Sequence, residues 1–286
     1  MGALLVALSA AGFGAMPIFA RQAYAAGVDQ YGILLPRFAL AAALLALIAG
    51  VCGARLPARR HIVLLALLGG IGYVGQSMLY YTALHYASAG LVALLLYAYP
   101  FIVAVLAALF LHERLGVRQI VVLPVAAAGL ALTIGGGSGT AFGIMLGLGA
   151  ALIYSLYIVG GTRVVREVDP LVASSIVCAA AATALGAVAL WRLANGFEVA
   201  VPHDAAGWLP VVSITVVSTV LAITAMLVGL KWLGASLTSV ISTLEPVVAV
   251  MLGALVLQEA LSGQQALGGA IVLGAAIWLA LEPRRA

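Results

Sequence analysis

Residues 84–119 read LHYASAGLVALLLYAYPFIVAVLAALFLHERLGVRQ, and a shift of 146 positions lays them without a gap over LKWLGASLTSVISTLEPVVAVMLGALVLQEALSGQQ of residues 230–265. The shift pairs Pro100 with Pro246, and each copy is one long apolar segment with a proline near its middle. An internal repeat decides the architecture of a chain before its local features do. Apolar segments of this length are typical of a lipid bilayer, so the sequence predicts a duplicated membrane protein.

The composition excludes a water-soluble domain. Hydrophobic residues make up 65% of the 286 residues and charged residues only 8%, whereas a soluble domain carries about 25% charged residues. The formal net charge of +4 comes from few residues, so its placement informs membrane orientation rather than nucleic-acid binding. Cys52 and Cys178 have no metal-ligand spacing. We expect no cofactor, metal or nucleic-acid partner, and a monomer or weak oligomer in a lipid bilayer that acts on a small molecule.

Ten apolar segments, each near the roughly 20 residues that span a bilayer, follow one another along the chain. They cover residues 2–25, 31–51, 61–86, 88–112, 117–134, 140–163, 169–193, 206–232, 234–258 and 263–281. A glycine-rich linker at residues 135–139 separates five segments from five. The predicted fold class is therefore all-α, a polytopic membrane protein of ten transmembrane helices in two five-helix repeats, residues 1–134 and 140–286.

An odd number of spans makes the second repeat enter the membrane from the opposite side, which gives the inverted repeat of many transporters. A cytoplasmic N-terminus would place ten of the 13 Lys and Arg residues inside, in agreement with the positive-inside rule. We therefore expect a multi-pass protein of the cytoplasmic (inner) membrane with both termini cytoplasmic.

Polar side chains inside predicted spans are costly in lipid and usually face the bundle interior or a cavity. The third span carries such a stripe at i, i+3, i+4 and i+7, and the ninth span a second one within one sector of the helix. The two stripes are Tyr73, Gln76, Ser77 and Tyr80, and Ser239, Ser242, Thr243 and Glu245. Either they line a substrate cavity, or the Ser and Thr residues bond to their own helix and pack between helices.

Glu245 is the only acidic residue at the middle of a predicted span, and Pro246 follows it. A proline removes one backbone N–H and loosens the helix. Two interpretations stay open: a site for a proton or a cationic amine, and a structural acid that satisfies carbonyls freed at the kink. The equivalent position of the first copy is Tyr99, so the acid breaks the symmetry of the repeat.

Tyrosines also occur well inside predicted spans, namely Tyr97 and Tyr99 in the fourth and Tyr154 and Tyr157 in the sixth. Facing one cavity, they would favour a flat or apolar substrate. The alternative is an aromatic belt at the membrane interface. Arg37, after Pro36, is expected near the external interface or paired with Asp29. Glu113 and Glu259 are expected to cap the helix that follows each of them.

Two five-helix copies, a proline in the fourth helix of each, and the elements Glu113-Arg-Leu115 and Glu259-Ala-Leu261 resemble the EamA branch of the drug/metabolite transporter superfamily over essentially the whole chain. The resemblance implies a carrier, usually an exporter, that works by alternating access. The tyrosine-rich interior is similar to that of aromatic amino acid exporters of the YddG type.

The main hypothesis is an exporter of aromatic or otherwise apolar amino acids or related metabolites, with hinges at Gly12, Gly14, Pro17, Pro100 and Pro246. The alternatives are an exporter of cationic drugs or other metabolites and, less favoured, a facilitative channel. A catalytic site is not expected. The Gly136-Gly-Ser138-Gly139 run matches a Gly-x-Ser-Gly pattern, but a serine hydrolase needs a base within reach, and His61, His85, His112 and His203 lie at span ends or in loops. No paired acids suit Mg²⁺.

Overall fold

The structure is a computed structural model that describes residues 2–110, 117–136, 138–226, 228–229, 232, 241–242 and 244–280. Over these residues the chain is helical and contains no strand, apart from one isolated antiparallel bridge between Ala87 and Gly139. The helices are α1 Gly2–Gly14, α2 Met16–Ala25, α3 Gln30–Val51, α4 Arg59–Leu67, α5 Val74–Ala83, α6 Ala89–Leu96, α7 Tyr99–Phe110, α8 Val117–Gly136, α9 Ala141–Glu167, α10 Pro170–Ala194, α11 Ala205–Thr215, α12 Leu244–Val256 and α13 Gly263–Ala280.

Six helical segments of the described chain are long and apolar enough to cross a membrane, and three shorter apolar helices accompany them. The six are Gly2–Ala25, Gln30–Val51, Arg59–Ala83, Ala141–Gly160, Pro170–Ala194 and Ala205–Met226. The chain is thus an all-helical, polytopic membrane protein. Ten crossings remain a prediction, because part of the ninth predicted span lies outside the described residues.

Acidic and hydroxyl side chains begin several of these helices. Asp29 Oδ1 accepts a hydrogen bond from Gly32 N (2.8 Å) at the start of α3, and Thr140 Oγ1 accepts one from Gly143 N (3.1 Å) at the start of α9. The first N–H groups of a helix have no partner within the helix, and lipid offers none. These side chains therefore serve the helix ends and are not available to a ligand.

Two predicted spans are broken near their prolines. The first divides at Ala15, with Pro17 in the first turn of α2. The fourth divides after α6, and α7 starts again at Tyr99 with Pro100 as its second residue. Pro246 is the third residue of α12. The breaks lie where proline cannot continue the hydrogen-bond ladder.

Two π-helical turns, which the sequence did not predict, interrupt the third and eighth predicted spans. They are π1, Leu68–Tyr73, between α4 and α5, and π2, Val216–Leu221, after α11. A π turn inserts an extra residue into a helix and re-aims the side chains beyond it, often at a functional site.

The helices pack in pairs that join early and late parts of the chain. Helix α3 packs along α10, α8 along α13, α5 and α7 against α9, α1 against α12, and α2 against α11. The interior contains fully buried Ile33, Leu34, Phe38 and Tyr81. Large apolar side chains also cover the outside, as lipid contact requires.

Glu259 was expected to cap α13, and this expectation is wrong. Its Oε1 accepts from Ala89 N (2.8 Å) and its Oε2 from Gly90 N (3.3 Å), so it caps α6 instead. Ser262 caps α13 by accepting from Gln265 N (3.0 Å). The reason is tertiary: the end of α12 packs against the start of α6, whose free N–H groups attract a carboxylate.

The same carboxylate lies 3.7 Å from Arg21 Nη2, and its side chain is only 19% exposed. The network therefore holds α2, α6 and the turn after α12 together at one end of the bundle. Glu113, the predicted counterpart, lies outside the described residues.

We expect Glu259→Ala to lower the free energy of unfolding by about 1–2 kcal/mol, because two N–H groups lose their acceptor. Thermal unfolding of detergent-purified protein measures this effect. The matched control, Glu198→Ala, removes an exposed carboxylate and should change little. Equal unfolding temperatures for both variants would contradict the capping role.

Candidate functional site

The main candidate site is a cavity of about 150 Å³ lined by residues of the broken helices and of both polar stripes. Its wall is largely aromatic and also carries two ionisable side chains of opposite charge, Arg37 and Glu245. The remaining lining residues are Ala10, Phe13, Met16, Tyr73, Gln76, Ser77, Tyr80, Tyr81, Leu96, Tyr97, Tyr99, Tyr154, Met226 and Ser242.

Nine residues predicted from the sequence border this cavity. They are Tyr73, Gln76, Ser77, Tyr80, Tyr97, Tyr99, Tyr154, Ser242 and Glu245. Tyr157 lies one layer behind the wall, with its ring stacked 6.1 Å from that of Tyr154 and 5.8 Å from that of Tyr73. Ser239 and Thr243 lie outside the described residues.

Tyrosine rings from the α6–α7 break, from α7 and from α9 form a continuous aromatic wall. The Tyr97 and Tyr99 ring centroids are 5.8 Å apart, and those of Tyr99 and Tyr154 are 4.9 Å apart, in both cases edge to face. Tyr97 lies at the break between α6 and α7, which frees its side chain from the helical repeat. The wall offers a ligand both apolar ring surface and hydroxyl groups.

Glu245 faces the cavity beside Tyr97. The Tyr97 hydroxyl lies 2.7 Å from the Ser242 carbonyl oxygen and 3.2 Å from Glu245 Oε2. A tyrosine hydroxyl has only one hydrogen to donate, and the shorter contact is to the carbonyl. Glu245 forms no ion pair with any described residue, and among those residues only the Tyr97 hydroxyl lies within hydrogen-bond distance of its carboxyl group.

Arg37 was expected at the external interface or beside Asp29, and this expectation is wrong. The residue is 2% exposed. Its Nε donates to Thr219 Oγ1 (3.1 Å), and Nη1 and Nη2 donate to the hydroxyls of Tyr81 (3.3 Å) and Tyr73 (3.4 Å). Asp29 is already engaged at the start of α3, where it also accepts from Ala200 N (3.1 Å).

The two π turns hold two of the three hydroxyl partners of Arg37. Tyr73 ends π1 and Thr219 lies within π2, and the 146-residue shift equates these two positions. Arg37 is the only charged residue of α3 and lies seven residues from its start, about 10 Å along the helix axis. A cation this far inside an apolar helix could have been predicted from the sequence to face the protein interior rather than lipid.

Two glycines predicted as hinges are points of close helix contact. A Cβ atom on Gly12 would lie 2.9 Å from the Val217 carbonyl oxygen, and one on Gly14 would lie 2.6 Å from the Glu245 carbonyl oxygen. The absence of side chains lets α1 approach both π2 and α12. Gly14 therefore helps to set the position of Glu245.

We expect Gly14→Ala to destabilise the protein by about 1–3 kcal/mol, because the methyl group has no room beside the Glu245 backbone. Thermal unfolding in detergent measures the loss. Gly50→Ala is the matched control, since nothing lies within 4 Å of its added Cβ. A neutral Gly14→Ala would show that α1 and α12 do not need this close contact.

The EamA-like transporter family matches residues 1–135 and 141–281. The chain belongs to this family. It is therefore a transporter and not an enzyme. A curated relative, the probable terminal-alkyne amino-acid exporter of Streptantibioticus cattleyicolor, is 32% identical to this chain over 136 residues. The matched part covers 46% of this chain and 46% of that protein, so the likeness spans about half the length of the relative.

The fold also occurs among solved structures. One crystal structure of a protein is similar with a TM-score of 0.69 and 22% sequence identity, over 97% of this EamA chain and 96% of the other. At this identity the likeness concerns the fold alone.

Proposed function

We propose that this EamA-family transporter exports amino acids, with aromatic or apolar side chains favoured, across the cytoplasmic membrane by alternating access. The observation that carries the proposal is the central cavity, which combines a tyrosine wall with Arg37 and Glu245. A partial match to a probable amino-acid exporter supports the same substrate class.

Two inverted five-helix repeats, residues 1–134 and 140–286, are part of the proposal. The helix contacts support them, because the main pairs exchange when the halves are exchanged. The pair α1–α12 becomes α9–α7, the pair α2–α11 becomes α9–α4, and the pairs α3–α10 and α8–α13 map onto themselves. Such symmetry lets one sequence pattern adopt two related conformations.

Alternating access requires contacts near both ends of the bundle that can open in turn. At one end Arg21 Nη2 lies 3.7 Å from Glu259 Oε1. At the other end Arg60 Nη2 lies 3.2 Å from Glu167 Oε2. With a cytoplasmic N-terminus, the Arg21 end is external. The breaks near Pro17 and Pro100, together with Gly12, Gly14 and Pro246, would let the helices bend between the two ends.

Cationic drugs are the second candidate, because Glu245 and the tyrosines suit an organic cation. The buried guanidinium of Arg37 in the same cavity works against a ligand that carries only positive charge. The amino-acid proposal therefore accounts for more of the lining residues than the cation proposal does.

Counterflow in proteoliposomes tests the proposal. Vesicles loaded with unlabelled tryptophan or leucine should accumulate the labelled amino acid from outside, saturably and above the level of empty vesicles. Saturable accumulation also separates a carrier from a channel. The proposal would be contradicted if every amino acid gave only the passive leak while an organic cation gave counterflow. That result would favour export of cationic drugs.

A further inference from the structure

We propose that Arg37 and Glu245 bind the two charged ends of a free amino acid, with the carboxylate at Arg37 and the ammonium group at Glu245. The substrate class is then zwitterionic α-amino acids with both groups unmodified. This inference rests on the proposed function. It names the residues that recognise the carboxylate and the ammonium group, which all free α-amino acids share.

Arg37 carries a charge that no acidic side chain of the described residues compensates. The residue is buried, and its three hydrogen bonds go to neutral hydroxyl oxygens. No carboxylate of the described residues lies within ion-pair distance of it. A buried cation without an anion is costly, and more so at membrane depth. A bound carboxylate would supply the missing anion.

The unused hydrogens of Arg37 suit a carboxylate. A guanidinium group has five N–H donors, and the bonds to described residues use one hydrogen on each nitrogen. Each terminal nitrogen therefore keeps one N–H. Two such donors on neighbouring nitrogens form the bidentate pair that recognises carboxylates. Tyr73, Tyr81 and Thr219 hold the guanidinium from three sides, which fixes its orientation.

Glu245 supplies the complementary charge from a different helix. It lies on α12, whereas Arg37 lies on α3. Its Oε1 has no hydrogen-bond partner among the described residues, and Oε2 is near only the Tyr97 hydroxyl. An ammonium group has three hydrogens to donate, so the free carboxylate oxygen and its neighbour offer it acceptors.

The two charges line one cavity but do not pair with each other. Opposite charges held apart suit a dipolar ligand that spans them. A purely cationic ligand would meet Arg37 and a purely anionic one would meet Glu245, so each is disfavoured. The aromatic wall of Tyr97, Tyr99 and Tyr154 then remains for the side chain of the amino acid.

Equilibrium binding to detergent-purified protein tests this inference independently of transport. The probes are tryptophan with tryptamine, which lacks the carboxylate, and indole-3-propionate, which lacks the amine. A second set is leucine with 3-methylbutylamine and 4-methylpentanoate. We expect the zwitterions to bind at least about tenfold more tightly than either analogue, because the analogues leave a buried charged group unpaired.

Two variants test which residue binds the carboxylate of the amino acid and which binds its ammonium group. Arg37→Gln should reduce the preference for tryptophan over tryptamine and leave the preference over indole-3-propionate largely intact. Glu245→Gln should reduce the preference for tryptophan over indole-3-propionate and leave the preference over tryptamine largely intact. The controls Arg55→Gln and Glu198→Gln change exposed residues of the same charge and should keep both preferences. Arg37→Lys, which retains the charge, distinguishes recognition from a loss of folding, and the unfolding temperature of each variant checks its integrity.

The outcomes separate the two proposals. Binding that depends on both charged ends, without counterflow, would support zwitterion recognition and contradict export. Counterflow of amino acids with equal binding of the truncated analogues would support export and overturn the roles of Arg37 and Glu245. Variants that lose both preferences equally would overturn the assignment of the ends. The absence of any amino-acid binding would overturn the recognition proposal.

Discussion

The hydrocarbon core of a membrane cannot accept or donate a hydrogen bond, and the whole structure depends on this constraint. Backbone groups must pair within helices, and a break is tolerated only where protein or a cavity can replace the lost partners. The breaks at Ala15 and at Tyr97-Ala98 follow this rule, since both adjoin the central cavity. Irregular backbone and polar side chains thus collect in one place for one physical reason.

The same constraint explains how the protein holds its buried charges. The Arg37 guanidinium is supported by hydroxyls from two π turns and by the ring of Phe38, whose centroid lies 5.0 Å away. Hydroxyls and rings hold a cation in place without neutralising it. A transporter needs such an arrangement, because a charge already paired within the protein has little left to offer a substrate.

Much of the architecture could be predicted from local sequence properties. Long apolar segments must be helices in lipid, and a proline such as Pro17 must disturb a helix wherever it occurs. The third-span residues Tyr73, Gln76, Ser77 and Tyr80 share one face by helical geometry alone, and they border one cavity. These features need no knowledge of neighbouring helices, which is why the sequence was sufficient for them.

Other features depend on which helices meet. Glu259 caps α6 and not the helix that follows it, because the end of α12 packs against a distant N-terminus. Arg37 points inward because the two π turns, which the apolar pattern does not reveal, bring the hydroxyls of Tyr73 and Thr219 to two of its nitrogens, and α5 brings the hydroxyl of Tyr81 to the third. The apolar pattern was enough to predict an all-helical membrane protein with polar and aromatic side chains inside its spans. That a cation from α3 and an acid from α12 line one cavity follows from the tertiary structure, because helix packing sets which side chains remote in sequence come together.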